Sequence, residues 1–255
     1  MCCAAIASFT ATPAADAAST VTNAASVAPS GLAVPRGDTP TWHQIFRDDF
    51  SGTTLRKPWT KYDGRPGGAS SSRWKSSHVV VSGGMLKLQT YKENGQWVSG
   101  GVGTWNGLSM KYGRIDVRMR APYAKGVSYV ALLWPANGGW PPEIDFAEDG
   151  GGNRRSTAAT LHYGSSNQQI QRKKAANFAQ WHTIGVRWSP NVLTYTLDGK
   201  VWATVKHSGV PSTKMVLAIQ TQTYACSDPW SECPGSTTPA RSSVDIDWVV
   251  AYTHK

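Results

Sequence analysis

From about residue 42 onward, apolar residues recur at every second position in short runs, and the runs are separated by Gly, Asn, Asp, Ser or Pro. No other feature limits the fold as much. A chain written with this period lays down strands with one buried and one wet face, and it has no stretch with the 3.6-residue period of a long helix. GRIDVRMRA over 113–121 is a clear case. Ile115, Val117 and Met119 point one way, and Asp116, Arg118 and Arg120 the other. HVVV, SGG and MLKLQTY over 78–91 read as a hairpin. LTYTLDGKVWATV over 193–205 reads as another, with Asp198-Gly199 as its two-residue turn. Further strands are expected at 127–134, 157–163, 182–188, 215–221 and 244–252. About ten short strands without an internal repeat imply an all-β fold of two stacked antiparallel sheets.

At 255 residues the chain suits one such domain, expected over 41–255. Residues 1–40 are rich in Ala, Ser, Thr and Pro and too poor in large side chains to fold by themselves. They read as a truncated export signal followed by a disordered leader. MCCAAIASF is a short apolar run, no basic residue precedes it, and Ala15-Asp16-Ala17 offers small residues for cleavage. An extracellular or cell-wall-associated protein is expected. No run approaches the ~20 apolar residues that a membrane span needs.

Lys and Arg outnumber Asp and Glu by 26 to 16, for a net charge of +10. The excess is spread along the chain. Its densest point, Arg172-Lys173-Lys174, reads as a solvated face, and without a nucleic-acid motif a nucleic-acid partner is not expected. An anionic polymer stays open. Of the four cysteines, Cys2 and Cys3 lie in the leader, while Cys226 and Cys233 bracket CSDPWSEC. A zinc site would need more ligands at suitable spacing. The pair reads either as a disulfide in an oxidising compartment or as two free thiols.

The segment most informative about chemistry is WPPEIDFAEDGG, residues 140–151. Glu143 and Asp145 share a strand face, while Glu148 at i+5 belongs on the other. One extra residue in a β-bulge, for which small Ala147 is suited, brings Glu148 back and leaves Ile144 and Phe146 to the core. Four effective strand steps then separate the two Glu Cα atoms by ~13 Å, and side chains leaning together leave ~5 Å between carboxyls. That spacing fits retaining better than inverting glycoside hydrolysis. Three crowded carboxyls cannot all ionise easily, so at least one holds its proton as a general acid must. The same spacing is open to two other readings, a hard-cation site or an exposed acidic strand. The second conflicts with the core-facing Ile144 and Phe146.

This segment resembles the signature of family 16 glycoside hydrolases, in the laminarinase-like branch with a bulged E-x-D-x-x-E strand. Other segments fit in order: YGRIDVRMRAP at 112–122, VSYVALLWP at 127–135, TLHYG at 160–164, WHTIGVRWSPNVLTYTLDGKVWATV at 181–205 and VDIDWVVAY at 244–252. The resemblance covers roughly residues 44–252. It implies a concanavalin-like β-jelly-roll sandwich with an open cleft on its concave face. It also implies Glu143 as nucleophile, Asp145 as the residue orienting it and Glu148 as acid/base. Trp134 and Trp140 match sugar-stacking positions, and His162 a cleft-lining position. Some relatives carry a structural calcium on the convex face, which would fall near Asp247 and Gly83–Gly84; no cofactor is required. The chain departs from the pattern at the substrate rim. Pro141 and Pro142 stand where Gly is more usual, 101–110 is short and shows no evident substrate-binding Arg, and the 217–230 segment is distinctive.

Gln220 and Gln222 share a strand face suited to sugar hydroxyls, and Trp230, Trp105 and Asn106 lie in loops that border a cleft. Trp181, His182 and Trp188 read as structural. The expectation is a secreted, monomeric, endo-acting retaining β-glycosidase whose partner is β-1,3-glucan or mixed-linkage β-glucan. The alternatives are a galactan or anionic polysaccharide as substrate, a transglycosylase, or a glycan-binding module on the same fold.

Overall fold

The computed structural model describes residues 28–68 and 70–255. In chain order the strands are β1 (Trp42–Asp48), β2 (Thr60–Lys61), β3 (Arg73–Trp74), β4 (Val79–Ser82), β5 (Met85–Glu93), β6 (Gln96–Ser99), β7 (Gly101–Gly103), β8 (Gly113–Arg120), β9 (Ser128–Pro135), β10 (Glu143–Asp149), β11 (Ser156–Tyr163), β12 (Gln168–Ala175), β13 (His182–Ser189), β14 (Val192–Leu197), β15 (Lys200–Lys206), β16 (Met215–Gln222) and β17 (Arg241–His254). Among the described residues, no helix is long and apolar enough to cross a membrane.

The strands form two sheets. The larger runs β15-β14-β13-β8-β17-β5-β6-β3, with β1 also paired to β17 and β4 to β5. The smaller runs β12-β11-β10-β9-β16-β7-β2. Every pairing between these strands is antiparallel except that of two-residue β3 with β6. Both expected hairpins form. Gly83 and Gly84 (φ 61° and 70°) turn β4 into β5, and Asp198 and Gly199 (φ 49° and 78°) turn β14 into β15, conformations that short Asx and Gly residues tolerate. The core lies between the sheets, with Ile115, Val117, Val186 and Ile246 meeting Leu133, Ile144, Leu161 and Ile219.

The domain begins earlier than residue 41. β17 carries apolar residues on both faces. Ile246, Val249 and Ala251 enter the main core, whereas Trp248, Val250 and Tyr252 face outward and form a second cluster with Val34 and Trp42. A bulge between Ile246 and Trp248 makes this switch. The 28–40 segment covers the patch, and Leu32 O accepts the Trp248 indole N–H at 2.9 Å. One valine and a few backbone groups suffice, which is why composition did not reveal it. The proposed cleavage site and Cys2 and Cys3 lie outside the described residues.

Candidate active site

β10 is built around one extra residue. Against β9, Ile144 pairs with Leu133 and Asp145 with Leu132, but Ala147 pairs with Ala131 and Glu148 with Val130. Phe146 is thus inserted without a partner on β9. Phe146 and Ala147 both turn into the core, which returns Glu148 to the face of Glu143 and Asp145. The bulge lies within one residue of the position expected from sequence. Register with β11 places Glu143 beside His162 and Asp145 beside Thr160, with Glu148 beside Ala158.

These side chains lie on the floor of an open cleft of about 970 Å³ across the outer face of the smaller sheet. Glu143 Oε2 accepts the Trp140 indole N–H at 2.7 Å. The Trp140 ring lies nearly parallel to Trp134, with centroids 6.4 Å apart and planes at 11°. Asp145 is 1% exposed. His162 Nε2 is 3.0 Å from Asp145 Oδ2, and the other ring nitrogen, Nδ1, pairs with Asn167 Oδ1 at 2.8 Å. The Nε2 approach is too oblique to count as a hydrogen bond, and both Asp145 oxygens lack an aligned donor. Glu148 Oε2 accepts the Thr160 hydroxyl at 3.4 Å.

The electrostatics raise two of these carboxyls. Burial pushes the Glu148 carboxyl up to about 7, the Glu143 charge adds to the shift, and Thr160 offsets part of it. Burial also raises Asp145 well above the ordinary range, reinforced by the charges of Glu143 and Glu148. A carboxyl that keeps its proton near neutrality can donate it, and one beside it that ionises can attack or stabilise positive charge. Ligand atoms of Glu143, Asp145 and His162 all lie within 4.8 Å of one another, a set able to hold a metal ion. Such an ion would have to compete with the Trp140 N–H on Glu143.

The cleft brings together Trp134, Trp140, His162, Gln220, Gln222, Trp230 and Trp105 from the rim expected from sequence. Asn106 is not among its lining residues. Trp188 is buried in the core, and His182 pairs with Asp198 at 2.7 Å, consistent with structural roles. Sequence reasoning missed Tyr62, Trp74, Asn167, Gln169, Tyr224 and Asp228, which also line the cleft. Tyr62 and Trp74 form its far end, with centroids 5.0 Å apart, and Trp105 donates its indole N–H to the Tyr62 hydroxyl at 3.2 Å. Trp74 sits on a two-residue strand and Tyr62 directly follows another, both too short to leave a periodic signal. The free thiols are ruled out, since Cys226 and Cys233 are joined as a disulfide.

On the opposite face, Asp247 Oδ2 accepts the Ser30 backbone N–H at 3.1 Å, and Ser30 Oγ accepts Arg118 Nε at 3.1 Å. These contacts tie the Asp247 carboxylate to the 28–40 segment.

A β-sandwich that carries two glutamates on the floor of an aromatic-lined cleft is the architecture expected of the glycoside hydrolase class. Comparison with known proteins agrees: residues 68–250 match the model of glycosyl hydrolases family 16, and the chain belongs to that family. It is 30% identical over 119 residues to the endo-1,3-1,4-beta-glycanase ExsH of Rhizobium meliloti, covering 46% of this chain and 25% of that one. It is 27% identical over 192 residues to a glucan endo-1,3-beta-glucosidase of Niallia circulans, covering 61% and 28%. The matches thus span only about a quarter of these relatives' length. The fold matches the endo-beta-1,3-glucanase of Pyrococcus furiosus with a TM-score of 0.75 at 21% identity, over 84% of this chain and 95% of that one.

Proposed function

We propose that this chain is a secreted, monomeric, endo-acting retaining β-glycosidase that hydrolyses β-1,3-glucan. The observation that carries the reading is the bulge in β10, which presents Glu143 and Glu148 on one face with Asp145 between them. Glu148, held protonated by burial, passes its proton to the glycosidic oxygen while Glu143 attacks the anomeric carbon and the bond to the leaving sugar breaks. Glu148, now ionised, takes a proton from water. That water displaces Glu143 from the covalent intermediate, and two inversions give net retention. Asp145 and the Trp140 N–H orient Glu143. Trp134, Trp140 and Trp230 stack on sugar rings, and His162, Gln220 and Gln222 bind hydroxyls. The relatives' names support glucan as substrate, the open cleft supports internal cleavage, and the disulfide supports an oxidising, extracellular location.

A second reading, an anionic polysaccharide, is favoured by the net charge of +10. Both are tested by product release from laminarin, lichenan, agarose, carrageenan and hyaluronan, with wild type and Glu143→Gln. Oligosaccharides released from laminarin with a retained anomer, falling about 10³-fold or more in the variant at unchanged melting temperature, are expected. Release only from an anionic polymer keeps the mechanism and replaces the substrate. Binding without release from any polymer leaves a glycan-binding module.

A further inference from the structure

Trp230 stands on the cleft wall, 42% exposed, on a segment outside any strand. Three ties hold it there. The Cys226–Cys233 disulfide closes the base of the loop. Asp228 Oδ1 accepts the backbone N–H of Trp230 at 2.9 Å and of Ser231 at 3.0 Å, and the Ser231 hydroxyl at 3.1 Å. The loop also rests on glycines of two neighbouring turns. A Cβ on Gly150 would lie 2.9 Å from Trp230 O and 3.1 Å from Ser231 Cα, and a Cβ on Gly126 would collide with the Cys233–Pro234 backbone. Glu232 N–H donates to Gly150 O at 2.8 Å. Gly150 comes two residues after Glu148, so the indole is seated on the turn that ends the catalytic strand. Of the three ties, only the disulfide can be opened and closed without changing the sequence, and Cys226 is exposed to solvent.

We propose that the Cys226–Cys233 disulfide is a redox latch on glycan binding. Closed, it holds Trp230 against the polysaccharide beside Glu148; open, it frees the loop and weakens hold on the polymer. Glu143, Asp145 and Glu148 lie on a central strand paired on both sides and keep their chemistry in either state. An external dithiol opens the latch. Its thiolate attacks one sulfur to give a mixed disulfide, and its second thiol resolves that bond. Two electrons and two protons pass to Cys226 and Cys233, and the reagent leaves as a disulfide. The inference rests on the glycosidase reading above.

The test compares the oxidised full chain, the chain reduced with dithiothreitol and blocked with iodoacetamide, the Cys226→Ser/Cys233→Ser variant, and Trp230→Ala. The serine variant separates this pair from Cys2 and Cys3. Laminarin kinetics and melting temperature are read for each. KM is expected to rise about fivefold or more in all three altered forms, with kcat within about twofold. Adding Trp230→Ala to the serine variant is expected to change nothing further. A disulfide that only stabilises the fold predicts a lower melting temperature at unchanged KM, which overturns the latch, as do effects that multiply in the triple variant. Should the reduced chain melt below the assay temperature, Trp230→Ala with the disulfide intact still decides: an unchanged KM there overturns the proposal. No turnover by the oxidised wild type would instead count against the glycosidase reading. Retention of laminarin by Glu143→Gln, lost on reduction, then reads the latch by itself.

Discussion

Asp116 and Asp145 are buried carboxyls on the outer faces of the two opposed sheets, and their surroundings differ. Asp116 on β8 is held by Arg114 at 2.6 Å. Burial raises it, while the charges of Arg114 and Arg187 pull it back. Gly185 leaves room for it, since a Cβ there would overlap its carboxylate. Asp145 on β10 has Glu143 and Glu148 as its charged neighbours, and both add to what burial does. The convex face neutralises its buried acid with guanidinium groups. The cleft face instead crowds acids together, and a proton held near neutrality is what the proposed general acid would lend to the leaving oxygen and recover from water.

The sharpest test of this contrast is Glu148→Gln. Turnover should fall about 10³-fold, the scale of a lost general acid/base, while stability rises. Native Glu148 keeps its proton to about pH 7, against an ordinary value of 4.5. Between those values the folded chain binds the extra proton, and stability falls as pH increases. Removing the charge should therefore stabilise the protein at pH 8 by roughly 3 kcal/mol, read by denaturant unfolding of both chains. The same protonation makes wild-type kcat/KM decline above about pH 7. A variant no more stable than wild type at pH 8 breaks the comparison on the cleft side. Arg114→Ala probes the other side. It strips a buried carboxylate of its closest cation and should cost about 3 kcal/mol of stability, with activity per folded molecule within about twofold. A matching loss of kcat/KM would mean that the faces are coupled. Trp140→Phe is the smallest change, keeping the ring and deleting the N–H donated to Glu143 Oε2. A loss of about tenfold in kcat/KM, on the order of 1.4 kcal/mol, is expected; no loss would mean that Glu143 needs no such donor.

What could be read from sequence follows from how local the cause is. The Asp198-Gly199 turn, the alternation of β8 and the spacing of Glu143, Asp145 and Glu148 each depend on a handful of neighbouring residues, and each appears in the structure. β12 was not anticipated. Its sequence, QQIQRKKA, forms an edge strand with little buried surface and lacks the pattern of a half-buried one. Gln169 therefore entered the cleft unannounced. Asn167 joins the site through a turn in which it adopts φ 53° and reaches back to His162. The 28–40 segment was misjudged because its ordering comes from a patch on β17 more than two hundred residues away.

The unpaired residue in β10 gives the gene an uneven tolerance for length change. Losing one codon between Glu143 and Asp145 would set those two on opposite faces and turn a carboxyl into the hydrocarbon interior, whereas losing the extra one before Glu148 would restore regular pairing and keep all three acids on the cleft face. Losing one codon in the exposed turn at 164–167 leaves strand parity on either side unaltered. Length changes should therefore accumulate in the turns and at this bulge rather than elsewhere in β10. Where catalysis is abandoned, it should go by replacing a glutamate in place, leaving a frame still counted for an acid no longer there.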